Sequence, residues 1–210
     1  LISYAVVGHE QRLIAATELA KSIGAVLSVD DGTAGVHGNH CRAWQLTAAT
    51  PNLWSTVLED DAEPVPGFLE QAESALTVAP AAVVSLYLGR TRPAHLQHQI
   101  SSALHRADHE DAHWITADTV LHGVAVAMHS SLRDDWLDFA SQDHGTRYPV
   151  DELMGVWCRA RGHRVAYTTP SLVEHGDAPS LVPYTGYHTQ PRKAWRVGTR
   201  DAWTSHSVAL

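Results

Sequence analysis

The stretch WSTVLEDDAEPVPGFL, residues 54–69, sets an apolar, partly β-branched run against three consecutive carboxylates, Glu59, Asp60 and Asp61, and follows them with a proline-flanked helix start. LWSTVL (53–58) reads as a buried strand. PGFLEQAESALTVA (66–79) reads as a helix, with Pro66 near its first turn and Leu69, Ala72 and Leu76 inward. A solvated turn explains many acidic triplets, but such a turn does not require an apolar strand to deliver it. What the triplet means therefore depends on the elements around it.

Upstream, ISYAVV (2–7) is a short strand stopped by Gly8. HEQRLIAATELAKSIG (9–24) carries Leu13, Ala16, Ala20 and Ile23 at helical spacing and ends on Gly24, and AVLSV (25–29) is a second strand closed by Asp30, Asp31 and Gly32. GVHGNHCRAWQLTAAT (35–50) reads as a glycine loop feeding a helix, with Asn39 as N-cap and Cys41, Trp44 and Ala48 on one face. Downstream, AAVVSLYLG (81–89) is another buried strand. This alternation predicts an α/β fold with a mostly parallel central sheet flanked by helices.

Beyond residue 90 the pattern loosens into a polar, irregular stretch. WITADTV (114–120) and HGVAVAM (122–128) look like strands, residues 130–142 and 151–162 like helices, and HRVAYTT (163–169) like a last strand before the loop SLVEHGDAPS. No internal repeat and no second core is visible. The reading is one domain over 1–178 and a tail from about 179 that packs on it.

Composition agrees with a single core: 210 residues, 44% hydrophobic and 18% charged. The net charge of −8 argues against a surface that grips nucleic acid or an anionic membrane throughout. No apolar stretch is long enough to cross a bilayer, and Leu1 to Tyr4 lack the basic start of a signal peptide, so the expectation is a soluble, intracellular protein with no membrane partner. Cys41 and Cys158 read as separate buried thiols rather than a disulfide. Histidine is abundant, 15 residues, and His105, His109 and His113 would share a face if their segment were helical; they read as scattered surface residues rather than a zinc site.

In open α/β sheets ligands sit outside the carboxyl ends of the strands, which is where the triplet falls. Side-chain alternation sends Glu59 and Asp61 to one side and Asp60 to the other. Two converging carboxylates repel unless neutralised, and a hard divalent cation is the usual solution. The loop Val7, Gly8, His9, with Arg12 one turn on, and Asp30, Asn39 and Arg42 border the same edge and together outline a nucleotide cleft.

VLEDDAEPVPGFLE after a β-α-β-α unit resembles the acid-x-acid element of nucleotide-sugar glycosyltransferases of the GT-A fold, with wording closest to family 25-type enzymes and to small phage-encoded and bacterial relatives. GNHCRAW (38–44), YPVDELMGVW (148–157) and PSLVEHGD (170–177) follow in the order that such a family has, so the likeness covers about residues 2–178. It implies a single Rossmann-like domain with a nucleotide-binding half at about 1–90 and an acceptor half at about 91–178. It implies Mn2+ or Mg2+ on Asp61 and His175 with Glu59, donor contacts from Glu59 and Asp60, and a general base at Asp151, with Glu152 in reserve. His122 and Gly123 resemble the turn that borders the sugar. The implied reaction is inverting transfer from a UDP-sugar to an acceptor hydroxyl.

For the acceptor, Arg192, Lys193, Arg196 and Arg200, interleaved with Tyr184, Tyr187, Trp195 and Trp203, suit a nucleic acid, and hence a hydroxylated base in DNA, in the cytoplasm of a phage-infected host. The plainer reading of that segment is a tail wrapped on the domain with its tryptophans buried. A saccharide acceptor, a metal-dependent nucleotidyltransferase or phosphohydrolase using Glu59, Asp61 and His175, and a non-catalytic nucleic-acid binder are the alternatives.

Overall fold

The computed structural model describes residues 2–142, 148–176 and 191–210. The backbone forms strands β1 (Ile2–His9), β2 (Val26–Asp30), β3 (Trp54–Glu59), β4 (Ala62–Pro64), β5 (Val83–Ser85), β6 (Trp114–Ala117), β7 (Ala125–His129), β8 (Val165–Thr168), β9 (Val173–His175) and β10 (Ser207–Ala209). The helices are α1 (Leu13–Ile23), α2 (Gly35–Leu46), α3 (Phe68–Thr77), α4 (Gln97–Glu110), α5 (Arg133–Ser141) and α6 (Val150–Arg161).

Eight strands make one sheet in the order β10-β6-β8-β5-β7-β3-β1-β2, and β4 and β9 pair as a separate two-stranded ribbon. β1, β2, β3, β5 and β8 run one way; β7 and β6 run against them, and β10 follows β6. The expected mostly parallel sheet flanked by helices is present.

Alternation along β1 divides the core. Ala5 and Val7 face a layer built from α2, α4, α5 and α6, while Val6 faces α1 and α3. Trp136 of α5 and Trp157 of α6 are fully buried with ring centroids 5.6 Å apart, a tilted aromatic pair worth about 0.5–1.5 kcal/mol beyond its burial. The Trp157 indole N–H donates to Asp135 Oδ2 at 2.8 Å, and Arg161 grips the same carboxylate, so α6 is fixed to α5 along its length.

Several boundaries differ from the expectations. β1 runs through Gly8 to His9 because β2 pairs with it there. α2 begins at Gly35, leaving Asn39 buried mid-helix rather than at an N-cap. Leu13 and Leu69 are exposed, and Leu19, Phe68 and Ala75 take the inward positions. The polar stretch after residue 90 contains α4, whose Ile100, Ala103, Leu104 and Ala107 form a narrow buried stripe. His105 and His109 ride on its exposed side, whereas His113 is buried just beyond it. The C-terminal segment adds β10 as an edge strand of the main sheet. Both cysteines are free, Cys158 buried and Cys41 half-buried. No helix among the described residues is long and apolar enough to cross a membrane.

Candidate metal centre

β3 ends on Glu59 at the carboxyl edge of the sheet, and a two-residue turn, Asp60 and Asp61, leads into β4. β4 pairs with β9 in a register that sets Ala62 opposite His175, and the Gly176 N–H donates to the Asp61 carbonyl at 2.7 Å. A Cβ on Gly176 would lie 3.1 Å from that carbonyl oxygen, so the absence of a side chain permits the approach. By this ribbon the chain returns over a hundred residues later to bring His175 to the acidic turn.

One ligand atom from each of Glu59, Asp61 and His175 lies within 4.8 Å of the others. The His175 Nδ1–H donates to the Gly176 carbonyl at 2.5 Å, which in the neutral ring leaves the lone pair on Nε2, 3.6 Å from Asp61 Oδ2. Metal-binding histidines are oriented in this way. Among the described residues Asp61 Oδ1 is buried with no hydrogen-bond partner, and an orphaned carboxylate oxygen carries a desolvation cost that a cation would offset. Two carboxylates and one imidazole suit Mn2+ or Mg2+ in type, so the residues fit a divalent cation.

Asp60 lies in the turn rather than in the strand, and it is not one of the three clustered ligands. Arg12 Nη1 donates to Asp60 Oδ1 at 2.9 Å and to Asp61 Oδ2 at 3.2 Å, and the His9 N–H reaches Asp60 Oδ2 at 3.4 Å. Burial raises the Asp60 pKa although Arg12 opposes it. Arg192 Nη2 stands 3.9 Å from Asp61 Oδ2. Bonds that hold its segment in place include Tyr87 Oη donating to the Arg192 carbonyl at 2.9 Å, Lys193 Nζ to the His175 carbonyl at 2.8 Å, and the Ala194 N–H to Glu174 Oε1 at 2.7 Å. Arg192 therefore sits at the acidic centre. Tyr87, Glu174 and His40 were not anticipated there, and no local pattern marks them.

On the other side of Glu59, Gly123 is so close that a Cβ would lie 2.9 Å from Glu59 Oε1 and 3.6 Å from the Asp151 Cβ. Asp151 sits in the first turn of α6, half-buried, with Oδ1 accepting from the Glu152 N–H at 2.9 Å; Glu152 is exposed. His40 of α2 lies 3.7 Å from Glu59 Oε1. Burial raises the Glu59 pKa, Asp61 and Asp151 raise it further and Arg192 opposes them; burial also raises that of Asp151. Burial pushes His40 down to about 4 and His122 to about 3, so both rings are neutral near pH 7. His122 Nε2 accepts from the Gly89 N–H at 3.1 Å, and its ring meets the edge of Tyr87.

The other residues of the expected cleft line the ends of β1 and β2. Asn39 donates to the Gly8 carbonyl at 2.8 Å and accepts from Ser28 Oγ at 2.6 Å. Arg42 donates to Ser28 Oγ at 2.9 Å, to Asn39 Oδ1 and to the Val29 carbonyl, and Asp30 Oδ1 accepts from the Ala34 N–H at the start of α2. These side chains bind β1, β2 and α2 together, with Val7, Gly8 and His9 forming the adjoining edge. In the C-terminal segment Arg196 forks onto Asp108, Arg200 binds the Thr169 carbonyl and Asp111, Trp195 donates to Gln97, and Trp203 is buried. Tyr184 and Tyr187 lie outside the described residues.

No protein-family model matches the chain, and no curated protein matches it. Among solved structures it is similar to a glycosyltransferase involved in the glycosylation of the major capsid of PBCV-1, with 9% identity, 70% of each chain covered and a TM-score of 0.39.

Proposed function

We propose that this chain is a metal-dependent glycosyltransferase that moves a sugar from a UDP-linked donor to an acceptor hydroxyl, with inversion. The observation that carries the reading is the juxtaposition, at one sheet edge, of the Glu59, Asp61 and His175 cluster with a separate half-buried carboxylate, Asp151. Glu59, Asp61 and His175 would hold the Mn2+ or Mg2+, which when bound supplies Lewis-acid stabilisation to a departing diphosphate.

Arg12 and Arg192 flank Asp61 and add positive charge where the phosphates would lie. Val7, Gly8, His9, Asp30, Asn39 and Arg42 border the space for the nucleoside, Asp60 keeps Arg12 in place, and His122 and Gly123 border the sugar. Asp151 takes the proton of the acceptor hydroxyl as that oxygen bonds to the anomeric carbon and the bond to the diphosphate oxygen breaks. Its raised pKa makes it a stronger base than an ordinary aspartate. The acceptor we assign first is a hydroxylated base in DNA, met by Arg192, Lys193, Trp195 and Arg196. A saccharide is the alternative, favoured by the intramolecular bonds that already occupy Arg196 and Trp195.

A thermal-shift and transfer assay tests this. UDP-sugars with Mn2+ should raise the melting temperature. Asp151→Asn should still bind donor while transferring at least about 100-fold more slowly. Absence of any shift with every nucleotide sugar would sink the reading, and release of UDP with the sugar going only to water would assign a hydrolase instead.

A further inference from the structure

The C-terminal segment ends as β10 beside β6, and the contacts that seat it there converge on one ring. His113 lies just before β6 and is 6% exposed. Its Nδ1 accepts from the Thr204 N–H at 2.9 Å, its ring makes a T-shaped contact with Trp203, and its backbone N–H donates to the His206 carbonyl at 3.0 Å. The adjoining Trp114 Nε1–H donates to the Thr204 carbonyl at 2.7 Å, and β10 then runs parallel to β6 with Ser207 opposite Trp114.

Nδ1 can accept only while the ring is neutral and carries its hydrogen on Nε2. Protonation sets an N–H on Nδ1 against the Thr204 N–H, so the bond becomes a repulsion and a backbone donor loses its acceptor. Among the described residues the charged groups that face the ring are Asp111, Arg200 and His206. Asp111 Oδ1 is 3.9 Å from Nε2, but it is exposed and shared with Arg200, so it does little to hold an imidazolium. Burial and the Arg200 charge keep the ring neutral below the ordinary value of about 6.5. Protonated His206 would meet Glu110 at 3.8 Å, an exposed pair too weak to offset the lost bond.

The upstream part of the segment is held differently. Arg196 forks onto Asp108 and keeps that carboxyl below the usual carboxylate range, so this clamp persists in mild acid. We infer that His113 is an acid-operated latch, whose ring, on taking up a proton at Nδ1, releases residues 204–210 from β6 while the segment stays clamped at Arg196. The device goes beyond the glycosyltransferase reading and does not rest on it.

Hydrogen exchange of the full chain at pH 7 and pH 5, expressed as protection factors, tests it. Protection of residues 204–210 should fall about fivefold or more between the two, because the released ring binds protons that the seated ring refuses. His113→Asn, which keeps a side-chain acceptor that does not titrate, should cut that fall to less than about twofold. His113→Phe, a ring with no acceptor, should show weak protection of 204–210 already at pH 7 with no further fall, and serves if His113→Asn does not fold. Protection of 204–210 that is equal at both pH values in the wild-type protein, or a fall that persists in these variants, would overturn the latch.

Discussion

Asp61 has two oxygens in different circumstances. Oδ2 meets Arg12 and lies within 4 Å of His175 and Arg192, while Oδ1 is buried without a hydrogen-bond partner among the described residues. Asp61→Asn preserves the shape but removes the charge, and should weaken Mn2+ binding by about 100-fold or more in a calorimetric titration; unchanged affinity would remove this residue from the metal site. Gly123→Ala makes a subtler test. The new Cβ displaces the tip of Glu59 and no backbone, so the metal-free melting temperature should stay within a few degrees while Mn2+ affinity falls about tenfold. A large loss of stability with unaltered affinity would show that Gly123 serves packing alone.

The elements that deliver these residues were unevenly legible. β1, α1, β3 and α6 announce themselves through apolar periodicity and glycine or proline punctuation, and the edge they create was readable with them. α4 was hidden because only Ile100, Ala103, Leu104 and Ala107 of its 14 residues form the buried stripe. The β4–β9 ribbon has three residues per strand and lacks any pattern of its own; its pairing is a tertiary event that local propensity does not encode. Arg192 reads as part of a basic tail, and only the bonds from Tyr87, Lys193 and Ala194 reveal its place beside Asp61. Gly155 of α6 shows how tightly one element is set: a Cβ there would sit 2.2 Å from Thr119 Oγ1 and 3.2 Å from the Val120 carbonyl oxygen. Gly155→Ala must therefore displace the Thr119 side chain or shift the helix that carries Asp151. It should cost about 1–3 kcal/mol in denaturant unfolding and lower kcat with little change in donor KM. An unaffected kcat would separate the seating of α6 from catalysis.

Over the whole molecule, buried histidines and half-buried carboxylates couple folding to pH in opposite senses. His40 and His122 have folded pKa values of about 4 and about 3, against roughly 6.5 in an unfolded chain. Below pH 6.5 the unfolded state takes up protons that the folded state refuses, so their contribution is complete above that value and declines as pH falls. Glu59, Asp60 and Asp151 have raised values, so the folded state holds protons that the unfolded chain has lost, and their burial costs more as pH rises above about 4. Without a cation, stability should therefore pass through a maximum and weaken toward both acid and alkali. A divalent cation binds deprotonated carboxylates and neutral imidazole, so it should relieve the alkaline side most. Melting curves in EDTA and in 1 mM Mn2+ should show a larger gain at pH 8 than at pH 6, and Asp61→Asn should remove the difference. An equal gain at both pH values would mean that the cation binds away from these carboxylates.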